Sequence, residues 1–251
     1  MSETFRIEDT ASTHVGNVRK ENEDSLLAAP QSGLWLVADG MGGHAHGQFA
    51  SRAIVEAFAG VSIPDTIEDA CFVVAETIHD ANSRIYSRSL ELGTQMGSTV
   101  VSLVVRGHEF AVLWAGDSRA YVFRGGQLIL LSRDHTQVEA LLERGLLTPD
   151  EARDHPMKHV LARAVGVQET LEIDAIRDTI QPRDVFLLCS DGLHGVLEDH
   201  EIAAMLREKG HDSCDDLINA CLERGAPDNV TVTLIEAREP TLLTLTTGAA
   251  R

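Results

Sequence analysis

The sequence predicts an α+β fold in one domain. Three observations carry this expectation. Residues 44–59 and 67–85 place apolar side chains every three or four positions, as one face of a helix requires. Residues 99–131 then change to short runs rich in Val, Leu and aromatics, with separators of two to four residues that suit antiparallel hairpins. Helical and strand-like segments resume after this block with neither a linker nor an internal repeat, so helices and hairpins belong to one unit.

In chain order, Phe5 to Ala28 reads as strand and loop leading into Asn22-Glu23-Asp24, and residues 34–39 as a buried strand. The first helix, from His44 to Ala59, puts Ala50, Ile54, Ala57 and Phe58 on one side. The second repeats Ile67, Cys71, Val74, Ile78, Ala81 and Ile85. Strands are expected at 99–105, 109–115, 120–124 and 127–131, separated by Arg106-Gly107-His108, Gly116-Asp117-Ser118-Arg119 and Gly125-Gly126. Residues 136–165 return to helix and loop. Thr148-Pro149-Asp150-Glu151 forms a capping box with proline at the first helical position, and His155-Pro156 ends that helix. Strands at 170–176 and 184–189, helices at 199–209 and 213–224, and a last strand from Val230 to Ile235 complete the pattern. The domain is expected to span 1–237, and 238–251, with Pro, Thr and Gly but no period, to be a flexible tail.

Composition narrows the function. A net charge of −18 argues against nucleic acid, because phosphate backbones are bound by Lys and Arg. No apolar run reaches the length of a membrane span, and the start lacks the basic and apolar regions of a signal peptide. The cysteines at 71, 189, 214 and 221 form no C-x-x-C pair and read as reduced core residues. A cytoplasmic location and a monomer are expected.

The acidic residues carry the chemistry. Strand-like runs end at Asp39-Gly40, Gly116-Asp117 and Ser190-Asp191-Gly192, and Asp228-Asn229 precedes the run from Val230. Turn-forming aspartates at strand ends are common one at a time. Four at strand ends place carboxylates on the rim of one sheet, where two charges about 4 Å apart repel by roughly 4 kcal/mol at an effective dielectric near 20. Such a rim needs cations, and all-oxygen ligands suit hard divalent ions such as Mg²⁺ or Mn²⁺.

The segments Gly16-x-x-Arg19-x-x-Asn22-Glu23-Asp24, Asp39-Gly40-Met41-Gly42-Gly43-His44, Gly97-Ser98-Thr99, Gly116-Asp117-Ser118-Arg119, Arg133-Asp134-His135-Thr136, Leu161-x-Arg163-x-x-Gly166, Ser190-Asp191-Gly192-Leu193 and Asp228-Asn229-Val230-Thr231 occur in that order. Together they make the chain resemble the metal-dependent protein phosphatase 2C family in its compact bacterial form, from about Gly16 to Thr233. The resemblance implies a four-layer α-β-β-α sandwich, with two antiparallel sheets packed face to face and helices outside. It implies hydrolysis of phosphoserine and phosphothreonine by direct attack of metal-bound water, in opposition to a bacterial serine/threonine kinase. By the same resemblance Asp39 bridges two Mg²⁺ or Mn²⁺ ions, and Asp191 and Asp228 complete the ligands of the first. The Gly40 carbonyl with Glu23 and Asp24 serves the second, directly or through water. Asp117 with Asp191 can hold a third, and Arg19 binds the substrate phosphate. The segment 137–165 corresponds to a flap expected to affect substrate choice.

These roles agree with the size of the task. Phosphate-monoester hydrolysis calls for accelerations of up to ~10²¹, whereas one acid–base side chain supplies ~10²–10⁴. A metal pair about 4 Å apart can activate a water and stabilise the transition-state charge. Many eukaryotic relatives carry His directly after Asp-Gly as the proposed acid. Met41 stands there in this chain, which leaves His44 as the candidate proton donor. His135, His155, His159 and His194 read as structural or exposed, and Arg119 and Asp134 as a loop-holding ion pair.

Other readings fit less well. Gly40-x-Gly42-x-x-Ala45 approaches the dinucleotide fingerprint, but Asp39 would repel a pyrophosphate and the hairpins disagree with a parallel sheet. Ser118 lies between two strands, unlike a serine-hydrolase elbow. The Cys-x₅-Arg loop, Asp-x-Asp and the P-loop are absent. The main alternative is a pseudophosphatase, a phosphoprotein-binding module without turnover.

Overall fold

The computed structural model describes residues 5–43, 45–153 and 155–239. The strands are β1 (Arg6–His14), β2 (Asp24–Ala29), β3 (Leu34–Met41), β4 (Gly97–Ser98), β5 (Val100–Arg106), β6 (Glu109–Ala115), β7 (Arg119–Arg124), β8 (Gln127–Leu130), β9 (Asp174–Thr179), β10 (Val185–Cys189) and β11 (Val230–Arg238). The α-helices are α1 (Ala45–Ala57), α2 (Ile67–Leu92), α3 (Gln137–Glu143), α4 (Pro149–Arg153), α5 (Asp191–His194), α6 (Asp199–Lys209) and α7 (Cys214–Glu223). One sheet runs β1-β11-β10-β7-β8 and the other β2-β3-β5-β6-β9, with β4 on the end of β3. Every pairing is antiparallel, which removes the dinucleotide-binding topology.

The central strands are apolar on both faces, and the period of two sends alternate residues into different cores. In β3, Leu34, Leu36 and Ala38 pack with Ile54 of α1 and with Val74, Ile78 and Ile85 of α2. Trp35 and Val37 point the other way, toward Phe186, Leu188 and Ile235 of the second sheet. Leu187, Cys189, Val232 and Leu234 in turn face Leu193, Ile202, Leu206 and Leu217 of α5 to α7. Three cores therefore separate four layers, α-β-β-α, as the family resemblance implies. Phe110 and Phe186 meet edge to face across the sheet–sheet core, with centroids 4.7 Å apart. Such a pair adds about 0.5–1.5 kcal/mol beyond the area it buries.

Local signals account for the helix ends. Thr66 caps α2 by accepting the Asp69 N–H at 3.2 Å, and Gly93 closes it in the left-handed region at φ 61°. Cys189, Cys214 and Cys221 are buried and all four cysteines are free thiols. Among the described residues no helix is long and apolar enough to cross a membrane.

Four points differ from expectation. The strands β6 and β7, expected as a hairpin across Gly116 to Arg119, fall in different sheets, so that this separator carries the chain from one sheet to the other. The strand expected at 170–176 begins at Asp174, because its ladder partner β6 pairs Trp114 with Asp174 and Glu109 with Thr179. The strand expected at 99–105 runs from Val100 to Arg106, and Thr99 separates it from a short strand that was not expected, at Gly97 and Ser98: β4 pairs with Gly40 and Met41, and β5 with Leu34 to Val37. At the break the Thr99 N–H donates to the Asp39 carbonyl at 2.8 Å and the Asp39 N–H donates to Thr99 Oγ1 at 3.0 Å. The last strand continues to Arg238, past the expected limits of strand and domain. The rest of the expected tail, 240–251, lies outside the described residues.

Candidate active site

The last residues of β3 and β10 and the first residues of β2 and β11 meet at one end of the sandwich. There they border a cleft of about 610 Å³. Arg19, Glu23, Asp39, Gly40, Asp117, Asp191 and Asp228 all line it. Seven of the residues singled out in the sequence are thus gathered from five separate segments.

Each is held by its own local device. The antiparallel register of β2 and β3 sets Asp24 opposite Asp39. Asp39 is fixed by the Thr99 contacts and by Ser98 Oγ, which donates to its carbonyl at 2.9 Å. The Gly40 N–H donates to the Glu23 carbonyl at 3.2 Å. A side chain at Gly40 would strike the Gly47 backbone, and one at Gly47 would occupy the place of the Glu23 carboxylate. The two glycines thereby let α1 close on the strand end and leave a cradle filled by a carboxylate.

Asn229 organises the loop that carries Arg19 and Glu23. Its Oδ1 accepts the Glu23 N–H at 2.8 Å, and its Nδ2 donates to the carbonyls of Val15 and Glu21 at 2.8 and 3.0 Å. Arg19 Nη2 donates to Asp228 Oδ2 at 2.6 Å, while Asp228 Oδ1 accepts the Asn229 N–H at 2.8 Å.

Asp24, opposite Asp39, lies behind the cleft. It is buried and does not line the cleft. Its Oδ2 accepts from Ser190 Oγ and Thr231 Oγ1, both at 2.7 Å. It thus ties the start of β2 to the two segments that present Asp191 and Asp228. Its other oxygen, Oδ1, is buried without a hydrogen-bond partner.

The electrostatics follow from this crowding. Burial pushes the Asp24 carboxyl up to about 7 against the pull of Thr231 and Ser190, with Asp191 and Asp228 adding to the rise. Burial, then the charges of Asp191 and Asp134, push Asp117 to about 7. Asp39 is driven well above the usual carboxylate range by burial and then by Asp24, Asp191, Asp117 and Asp228. Asp191 is raised by burial and Asp228, and eased by His159, Asp39 and Arg19. Anions held together at this cost call for a positive partner.

The donor set fits hard divalent cations: carboxylates of Asp39, Asp191 and Asp228, the Gly40 carbonyl, and the orphaned buried oxygen of Asp24 nearby. The carboxylates are not preset around one point, since among the described residues no three His, Cys, Asp or Glu side chains form a ready coordination group. The reason is visible in their partners: Asp228 is turned to Arg19, and Asp24 to Ser190 and Thr231.

His44, the candidate proton donor, lies outside the described residues. His194 Nε2 donates to the Asp117 carbonyl at 3.0 Å, and burial depresses its pKa to about 4, so it is a neutral structural group. His135 accepts the Gly116 N–H at 3.1 Å and contacts Asp174 at 3.1 Å, which is also structural. Arg119 and Asp134 form the expected loop-holding pair, bidentate at 2.9 and 2.7 Å. Ser118 bonds Thr99 at 2.6 Å behind the strand break.

His159 to Ala164, within the segment expected to affect substrate choice, line the cleft, and so do Val167, Gln168, Thr170 and Leu171, to which sequence reasoning assigned no role. It also missed Asn229, Ser190 and Thr231 as anchors, although all three stood inside quoted motifs.

The comparisons agree with this geometry. A family model described as protein phosphatase 2C matches residues 14–234. The chain belongs to the protein phosphatase 2C family. Serine/threonine protein phosphatase PstP of Mycobacterium tuberculosis is 34% identical over 224 residues, which cover 88% of this chain and 43% of that protein. The chain thus spans less than half the length of that relative. Serine/threonine phosphatase stp of Listeria monocytogenes is 33% identical over 235 residues, covering 89% of this chain and 93% of that one. Among solved structures, PppA, described as a key regulatory component of T6SS in Pseudomonas aeruginosa, is 39% identical. It superposes with a TM-score of 0.87 over 94% of this chain and 99% of its own. The catalytic domain of PstP in complex with two manganese ions superposes with a TM-score of 0.82 at 32% identity, over 93% of this chain and 99% of its own.

Proposed function

We propose that this chain is a metal-dependent protein serine/threonine phosphatase that hydrolyses phosphoserine and phosphothreonine. The observation that carries the reading is the gathering of Asp39, Asp191 and Asp228 with Arg19 in one cleft. A relative that carries manganese and relatives named as serine/threonine phosphatases support it.

Asp39, Asp191, Asp228 and the Gly40 carbonyl would hold two Mg²⁺ or Mn²⁺ ions, with Glu23 beside them. Asp24 would act from behind, through Ser190 and Thr231. Asp117 with Asp191 would take a third ion. When bound, such a pair supplies an acidified water and charge stabilisation on the phosphoryl group. Arg19 brings donors to the phosphoryl oxygens, and its loop is fixed by Asn229. His44 is the proposed source of the proton for the leaving alkoxide, because Met41 cannot donate one. A pH–rate profile unchanged in its acidic-donor limb by His44→Ala removes that role.

Arg19→Ala is expected to lower kcat/KM for a phosphothreonine peptide by about tenfold to a hundredfold, since a charge-assisted bond to phosphate is lost. Arg19→Lys should recover only part, having no fork for two oxygens. Steady-state kinetics with Mn²⁺ read this directly, and unchanged kcat/KM in Arg19→Ala would remove the arginine from the site.

The reading extends to partners. Substrates would be phosphorylated proteins, including a bacterial serine/threonine kinase, met in the cytoplasm by a monomer with a role in signalling. The segment 137–165 holds α3 and α4 and returns to the cleft through His159 to Arg163, so we assign it an influence on substrate choice. Exchanging it for a relative's segment should alter preference across a phosphopeptide panel, and an unaltered preference would contradict the assignment. A binding module without turnover is disfavoured, because Asp39, Asp191 and Asp228 line one cleft together with Glu23 and Asp117.

A further inference from the structure

Asn82, in the middle of α2, is buried and makes three hydrogen bonds to one short loop. Its Oδ1 accepts the Gly166 N–H at 2.7 Å. Its Nδ2 donates to the carbonyls of Gln168 and Glu169, both at 3.1 Å. A buried amide that satisfies three backbone groups of one loop fixes that loop's path. The same loop is bonded on its other side to β4, where Ser98 and Val165 exchange N–H to carbonyl bonds at 2.9 and 2.8 Å. Gly166 has φ 84°, and a side chain there would strike Ile85 of α2, so the loop lies hard against the helix.

The loop so held is a wall of the catalytic cleft. Val167, Gln168, Thr170 and Leu171 line it. Gly97 lies under the wall: a Cβ there would come within 2.7 Å of Val167 Cγ2 and 2.9 Å of Met41 Cε. One at Gly42 would meet Met96 Cβ at 3.2 Å. Met41, Val167 and Leu171 thus offer apolar side chains to the cleft, backed by the buried Met96, from the residue after Gly40 onward. A phosphoryl group needs only the acidic end of the 610 Å³ cleft. The remainder faces whatever flanks it. Thioethers adapt to varied apolar side chains.

We infer that Met41, Val167 and Leu171 form a specificity subsite for an apolar side chain flanking the phosphoresidue of a substrate peptide, and that Asn82 is the positioning residue that keeps it preformed. The inference rests on the phosphatase reading. Asn82 touches no substrate atom. Its effect passes through Gly166, Gln168 and Glu169.

The test compares wild type, Asn82→Ala and Asn82→Asp, with Mn²⁺, on a small chromogenic phosphate ester and on phosphothreonine peptides. One peptide carries a Leu beside the phosphoresidue and its twin a Lys. Wild type is expected to prefer the Leu peptide in kcat/KM by about tenfold, the scale of an apolar group in a fitted pocket. In Asn82→Ala that preference should shrink to about threefold or less, through KM, with ester turnover changed by less than about threefold. Asn82→Asp keeps the acceptor for Gly166 but sets a buried carboxylate oxygen against the Gln168 and Glu169 carbonyls, so it should lose the preference at least as fully as Asn82→Ala. Equal loss on ester and peptides, or a preference that survives in Asn82→Ala, overturns the inference. If wild type turns over neither substrate, the phosphatase reading has failed. Equilibrium binding of the same two peptides then decides the subsite, since equal affinity overturns it and a Leu preference lost in Asn82→Ala supports it.

Discussion

Asp39→Asn is expected to cut turnover of a phosphothreonine peptide by about 10³-fold or more, the scale of losing a group that holds the transition-state charge in place. Asp39 stands where four other carboxylates act on it and where the backbone is pinned by Thr99 and Ser98. The amide keeps the shape and removes one anion. The metal-free variant should therefore melt at a higher temperature than wild type, because a buried charge among like charges is gone. Loss of activity with gain of metal-free stability separates a functional carboxylate from a structural one. Near-normal activity in the variant would show that Asp39 is not part of the catalytic group.

Removing divalent ions is the second large effect. Excess EDTA should stop turnover, and added Mn²⁺ should restore it without refolding. The same ions should stabilise the fold, by about 2.7 kcal/mol at a hundredfold excess over Kd. The pH dependence has a definite sign. Asp24 and Asp117 are raised to about 7 in the fold, whereas an unfolded aspartate titrates near 3.9. The folded chain thus binds more protons than the unfolded one between these values, and metal-free stability falls as pH rises through that window. The contribution is fully present below about pH 4 and lost as pH passes about 7. Asp39 and Asp191, also raised, act in the same direction. Cations replace those protons, so Mn²⁺ should raise the melting temperature more at pH 8 than at pH 5. Thermal melts with and without Mn²⁺ at the two pH values measure this. A metal effect independent of pH would mean that the ions bind away from the acids.

The parts of the fold that rest on periodicity were legible. The helix from Ile67, read to Ile85 and running to Leu92, the helix at 199–209 and the β5–β6 and β7–β8 hairpins follow from apolar spacing and from Gly107, Gly125 and Gly126 at the turns, whereas Gly116 to Arg119, read as a third hairpin turn, carries the chain from one sheet to the other. What pairing decides was less so. The two-residue β4 was hidden, because Thr99, whose hydroxyl replaces a ladder bond to Asp39, sets it off from β5. Residues 170–173 read as strand, but β9, an edge strand, begins its pairing with β6 only at Asp174. The short α5 was hidden, since Asp191 ends an apolar run and opens a helix of only four residues.

The site shows the same division. Glycine beside aspartate after an apolar run located Asp39, Asp117 and Asp191 from local pattern alone. The distinction between Glu23, which reaches the cleft, and Asp24, which is buried against Ser190 and Thr231, depends on partners 166 and 207 residues away. No window of sequence contains that information. His159 read as structural or exposed; it is exposed and lines the cleft, because the chain returns there from α4.

Anomalous scattering from crystals grown with Mn²⁺ tests the central claim most directly. The account predicts two manganese peaks in the cleft, shared among Asp39, Asp191, Asp228 and the Gly40 carbonyl, with Asp228 drawn away from Arg19. A cleft free of manganese under conditions that sustain turnover, or manganese bound only elsewhere on the acidic surface, would contradict it.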